Sequence, residues 1–151
     1  MLDLCDELLD ETGHRQHTFP WLTGDPNAAG ARARLRVDGF YERANVVVEY
    51  RERQHFNPVG HFDKPEVMTI SGVHRGEQRR RYDERRDDLI PAHGITLWVL
   101  TPDELGGNTR GRLTARNRER DIELLRQAWA RSQRANTTQA VTEVEREVDG
   151  S

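Results

Sequence analysis

The 151-residue chain has a single cysteine, Cys5, a single lysine, Lys64, and few aromatics, which make up 7% of its residues. One cysteine excludes an internal disulfide and suits a reducing compartment. Cys5 falls among Leu2, Leu4, Leu8 and Leu9, a setting for a buried helix position rather than a reactive thiol. No apolar run is long enough to cross the ~30 Å hydrocarbon core of a bilayer. The opening residues Met1 to Asp6 lack both a basic segment and a long apolar core, so they do not read as a signal peptide, and the expected location is cytoplasmic. With few stacking side chains beyond Tyr41, Tyr50 and Phe56, recognition of single strands is disfavoured, while an RNA-directed module is separable from a DNA-directed one by substrate competition alone. The near absence of lysine leaves 22 of the 23 basic residues as arginine, a skew that reflects base composition more readily than function.

Charge is abundant but nearly balanced: charged residues are 32% of the chain and the net charge is −3. That excludes a histone-like polycation. Its distribution is uneven, with five acids and no base between Met1 and Gly13, and thirteen bases against nine acids between Ala31 and Arg86. A basic centre between acidic ends fits a phosphate-facing surface.

Hydrophobic periodicity predicts a helix over 2–12 with Gly13 as C-cap, then an irregular stretch over 14–34 from which Phe19-Pro20-Trp21-Leu22 plugs the core. Two short strands follow, 35–40 (LRVDGF) and 45–50 (NVVVEY), joined by a polar turn. Residues 57–73, with Pro58, Gly60, Pro65 and Gly72, read as a loop able to cover a substrate. A helix over 76–90 is closed by Pro91 and Gly94, an apolar strand occupies 95–100, and a charged helix runs over 116–131. These elements predict an α/β sandwich with a mixed sheet. Residues 1–133 are expected to form a single domain, and 134–151 a disordered acidic tail.

The chemistry gathers on the hairpin. Asp38 stands on its first strand and Glu49 closes the valine run of the second, where an unpartnered acid would be expensive to bury. Two carboxylates converging at a strand end offer the hard oxygens that Mg²⁺ prefers, and Mg²⁺ so held can serve phosphodiester hydrolysis. His14 and His17 lie three residues apart; with so little cysteine, a loop or phosphate-contact role is preferred to zinc.

Asp38, then Glu49 at the end of an apolar strand, then Gln54-His55, then a charged helix carrying Tyr82-Asp83-x-x-Arg86, then His93-Gly94 and a final apolar strand: in that order the chain resembles the restriction-endonuclease-like PD-(D/E)xK nuclease superfamily, most of all its small very-short-patch-repair-like branch. The resemblance spans about residues 35–100. It implies a restriction-endonuclease-like α/β/α sandwich and a Mg²⁺-dependent DNA endonuclease, with Mn²⁺ as a substitute. It also implies Asp38 and Glu49 as metal ligands and Glu7 of the first helix as a third acid, with Glu11 one turn later. Cleavage would leave a 5′-phosphate and a 3′-hydroxyl. Where the family carries lysine two residues after the second acid, this chain has Arg51, which holds phosphate but cannot act as a base at neutral pH. Gln54 and His55 would complete the site, His55 by activating water or protonating the leaving oxygen. An alternative phasing uses Glu52-x-Gln54. Arg75, Arg79 and Arg86 are the candidate DNA contacts. The substitution at Arg51 sustains a second reading, a nuclease-like module that binds nucleic acid or a partner protein without cutting. Cutting both strands would call for a homodimer; nicking would not.

Overall fold

The computed structural model describes residues 1–51, 75–106 and 117–149, with side chains through 136. The element order is α1 (Leu2–Leu9), β1 (His14–Pro26), β2 (Arg32–Tyr41), β3 (Val46–Tyr50), α2 (Arg75–Ala92), β4 (Thr96–Leu100) and α3 (Arg118–Asp149). The four strands form one mixed sheet in the order β1-β2-β3-β4, with β1/β2 and β2/β3 antiparallel. The mixed α/β class expected from the sequence is therefore present. The expected loop over 14–34 is a correction: most of it is β1. Its Phe19, Leu22 and Gly24 are buried in a partly alternating pattern that Pro20, Gly24 and Pro26 obscure in the sequence.

The chain divides into two compact units, one of Met1–Thr12 with Leu100–Ser151, the other of Gly13–Val99. In the first, α1 and α3 pack together, Cys5 is fully buried as expected, and Arg118 grips the Glu7 carboxylate. Helix α1 stops at Asp10, which takes the left-handed conformation as its cap, three residues before the expected Gly13. Helix α3 continues through the residues expected to be a disordered tail, reaching Asp149.

The second unit carries the sheet. The β1–β2 turn closes on Asn27, whose Oδ1 accepts from the N–H groups of Ala29 and Ala31, while Gly30 supplies the positive φ. The β2–β3 turn ends on Asn45 with φ 55°; Thr96 N–H donates to its carbonyl at 3.0 Å, tying the turn to the start of β4. Strand β3 is buried on both faces from Val46 to Glu49, which explains its unbroken valine run. On one face, Phe19, Leu22, Leu35, Val37, Val47 and Ile90 form a core, so α2 covers that side through Ile90, with Tyr82 and Leu89 alongside. Polar tethers fix α2 to β1: Arg85 donates to the Thr23 carbonyl and to Asp25, and Asp25 N–H donates to the Tyr82 hydroxyl. Pro91 lies within the last turn of α2 rather than ending it at residue 90.

Gly13 has a packing role in place of the expected cap. A Cβ there would lie 2.6 Å from the ring of Tyr41, a side chain with no exposed surface whose hydroxyl accepts from Arg15. Gly13→Ala should therefore destabilise the protein by roughly 1–3 kcal/mol through overpacking, read as a lower urea midpoint at unchanged slope.

Candidate functional site

The sheet is irregular where the two acids sit. Arg15 pairs with Gly39 and His17 with Val37, leaving Gln16 opposite Asp38, and Gln16 takes φ 50°. On the other side, β2 pairs with β3 as far as Gly39 opposite Val48; one further step sets Asp38 opposite Glu49. There the ladder is completed by side chains. Asp38 N–H donates to Glu49 Oε1 at 3.1 Å, and Tyr50 N–H donates to Asp38 Oδ2 at 2.8 Å. Gln16 Nε2 reaches Asp38 Oδ1 at 3.4 Å. Each carboxylate is thus aimed by a neighbouring N–H, the kind of orientation that ligating carboxylates depend on.

The positive φ at Gln16 falls between two histidines that share an aromatic neighbour. Strict alternation would put residues three apart on opposite faces, yet His14 and His17 both contact the Phe40 ring, at 6.5 and 4.9 Å. From there a row of rings continues along β1: His17 edge-on to Phe19, Phe19 stacked on Trp21, and Trp21 stacked on His93 at 3.8 Å. His14 and His17 are therefore strand residues, not loop residues. Burial, then the nearby His14, lowers the pKa of His17.

Glu49 is only 6% exposed, and its carboxyl is strongly perturbed. Burial pushes its pKa up to about 7; Arg86 opposes that rise and the adjacent Asp38 adds to it. Arg86 Nε lies 3.7 Å away, too long for a hydrogen bond, so Glu49 is flanked by this arginine without being locked to it. Arg86 itself is held by α2 and β2: its NH1 meets Asp83 at 3.2 Å and its NH2 the carbonyl of Arg36 at 2.9 Å.

A stability signature follows. The folded protein holds the Glu49 proton more tightly than the unfolded chain does. The stability contributed is full below the ordinary pKa near 4.5 and is lost as the pH rises through about 7. Wild type should weaken by roughly 2–3 kcal/mol across that window relative to Glu49→Gln, as measured by urea midpoints of both proteins near pH 5 and pH 8.

The remaining candidates divide. Arg51, just past the end of β3, meets Asp87 with both terminal nitrogens, at 2.8 and 3.1 Å, and lies 3.9 Å from Asp83 through Nε. Arg86 joins the acids. Arg75 and Arg79 are exposed and have no partner among the described residues, so α2 brings only one of its three candidate arginines to the site. Glu7 belongs to the other unit, where Arg118 engages it. Gln54, His55, Glu52 and the expected loop over 57–73 lie outside the described residues. Gln16 and Asp87 are participants the sequence reading did not select as site residues. Asp83, Asp87 and Ile90 recur at helical spacing, so acids sharing the face of a core isoleucine were a legible sign that Asp87 turns toward the sheet. No sequence signal marks Gln16, whose role depends on its backbone conformation.

Carboxylate oxygens fit a hard divalent ion. Among the described residues, no group of three or more His, Cys, Asp or Glu side chains is placed to hold one, so any such ion would take its other oxygens from water, backbone or residues beyond those described. No family model, curated protein or solved structure matches this chain.

Proposed function

We propose that this protein is a divalent-metal-dependent DNA endonuclease of the restriction-endonuclease-like type, with Asp38 and Glu49 as the metal-holding pair. The observation that carries the reading is the interlocked placement of these acids: opposite positions on adjacent strands, each oriented by an N–H, where the sheet ladder opens. The element order supports it as well, since the first acid lies on β2, the second near the end of β3, and a crossover helix then leads to β4 beside β3. Burial adds a physical argument. Burial, with the adjacent Asp38 adding to it, raises the Glu49 pKa to about 7, and a shared cation would relieve both acids; Mg²⁺ or Mn²⁺ suits oxygen donors.

When bound, Mg²⁺ supplies Lewis-acid stabilisation of charge on the phosphoryl oxygens and makes water more acidic. The chain's own residues supply the rest. Asp38 and Glu49 fix the ion's position; Tyr50 N–H and Asp38 N–H keep the two carboxylates from rotating. Arg51 and Arg86 stand beside them as permanent cations, able to hold a phosphate oxygen but not to take a proton from water. Gln54 and His55 follow directly in the chain after Arg53; Gln54 completes the site, and His55 is the candidate for that proton transfer. The test is cleavage of plasmid DNA, expected with Mg²⁺ or Mn²⁺ and absent in EDTA. Salt-sensitive binding with no cleavage under any divalent ion would instead favour the non-cutting nucleic-acid module.

A further inference from the structure

Helix α2 holds Asp83 and Asp87 one turn apart, and both turn toward Arg51. The contact with Asp87 is fork to fork: NH2 to Oδ1 at 2.8 Å and NH1 to Oδ2 at 3.1 Å. A guanidinium presents the same planar fork to a carboxylate and to a phosphate. Arg51 follows Glu49 by two residues, the strand spacing that returns a side chain to the same face. Its Nε is buried and lacks a hydrogen-bond partner among the described residues, as does Nε of Arg86. Those two donors lie 3.9 Å from Asp83 and 3.7 Å from Glu49, near acids but bonded to neither. Asp87, in contrast, is 47% exposed, and Arg51 is 21% exposed. The Asp87 side of the pair is open to solvent, so an incoming anion can reach the fork from that side.

We infer that Asp87 is a built-in phosphate surrogate: in the free protein it occupies the fork of Arg51 that a backbone phosphate of duplex DNA takes on binding. The inference rests on the proposed function for the identity of the ligand and adds a regulation of its site. The Asp87 carboxylate neutralises Arg51 until a phosphate displaces it, so Arg51 meets its substrate by exchanging one anion for another. The acid therefore lowers DNA affinity through one arginine rather than through net charge.

Binding of a short labelled duplex in EDTA, read by fluorescence anisotropy at several salt concentrations, separates these effects. Asp87→Asn is compared with Asp88→Asn, a neighbouring exposed acid with the same charge change, and with Arg51→Gln and the Arg51→Gln/Asp87→Asn pair. Asp87→Asn should tighten binding about 5-fold or more and Asp88→Asn by less than about 2-fold, and the gain should vanish in the Arg51→Gln background, as expected for coupled neighbours. Equal gains from both aspartates, a gain that survives loss of Arg51, or a protein that binds no duplex at any salt each overturn the inference. Thermal melts confirm that every variant is folded before it is scored. Cleavage is scored separately. Coupling without cleavage would sink the nuclease reading and leave this contact standing; cleavage without coupling would do the reverse.

Discussion

Asp38→Asn is expected to abolish Mg²⁺-dependent plasmid cleavage while the variant still folds. The change keeps a side-chain oxygen able to accept from Tyr50 N–H and removes the charge. Loss of outer hydrogen bonds around a metal already reduces affinity or activity ~10–100-fold. Loss of a ligand charge should exceed that, so activity should fall by at least about 100-fold. Glu42→Gln, on the exposed β2–β3 turn, serves as the matched control and should retain cleavage. In wild type, Mg²⁺ should raise the melting temperature, because an ion that binds only the folded state stabilises it by mass action. That shift should be missing in Asp38→Asn. Cleavage by Asp38→Asn at wild-type rate, or an equal thermal shift in both proteins, would remove Asp38 from the site.

Leu22→Ala should be strongly destabilising while leaving the acids untouched. Leu22 has no exposed surface and sits in the cluster with Phe19, Leu35, Val37, Val47 and Ile90. Truncating such a leucine typically costs ~2–5 kcal/mol, part from lost transfer energy and part from the cavity left behind. For a chain of this size that corresponds to a melting temperature lower by roughly 5–15 °C. The prediction also tests the strand assignment. A leucine pinned beneath α2 leaves a gap that its neighbours cannot close, whereas an exposed residue would tolerate the change. A shift of only a degree or two would mean that 14–26 does not pack as the strand described.

How far the sequence could be read varies by element, for physical reasons. The β2–β3 hairpin, β4 and the body of α2 were legible because apolar runs bounded by turn residues carry a strong local signal. Strand β1 was not, since Pro20, Gly24 and Pro26 imitate a loop, and Pro is tolerated here because β1 lies at the edge of the sheet. The far half of α3 was missed because polar residues outweigh its short stripe of Val141, Val144 and Val148, although nothing in it breaks a helix. Gly13 illustrates a different failure: a glycine near a helix end suggests a cap, yet here it is small because Tyr41 lies against it.

Local chemistry alone was enough to single out Asp38 and Glu49, because an acid closing a valine run needs a partner wherever the chain folds. It was also enough to say that Arg51 cannot act as the base, since a guanidinium keeps its proton in any surroundings. The folded chain decided which groups meet: Gln16 through a left-handed backbone, Asp87 through the turn of a helix 36 residues away, and the proton affinity of Glu49 through the depth of its burial. Such outcomes depend on distance and solvent exclusion, which no window of neighbouring residues contains.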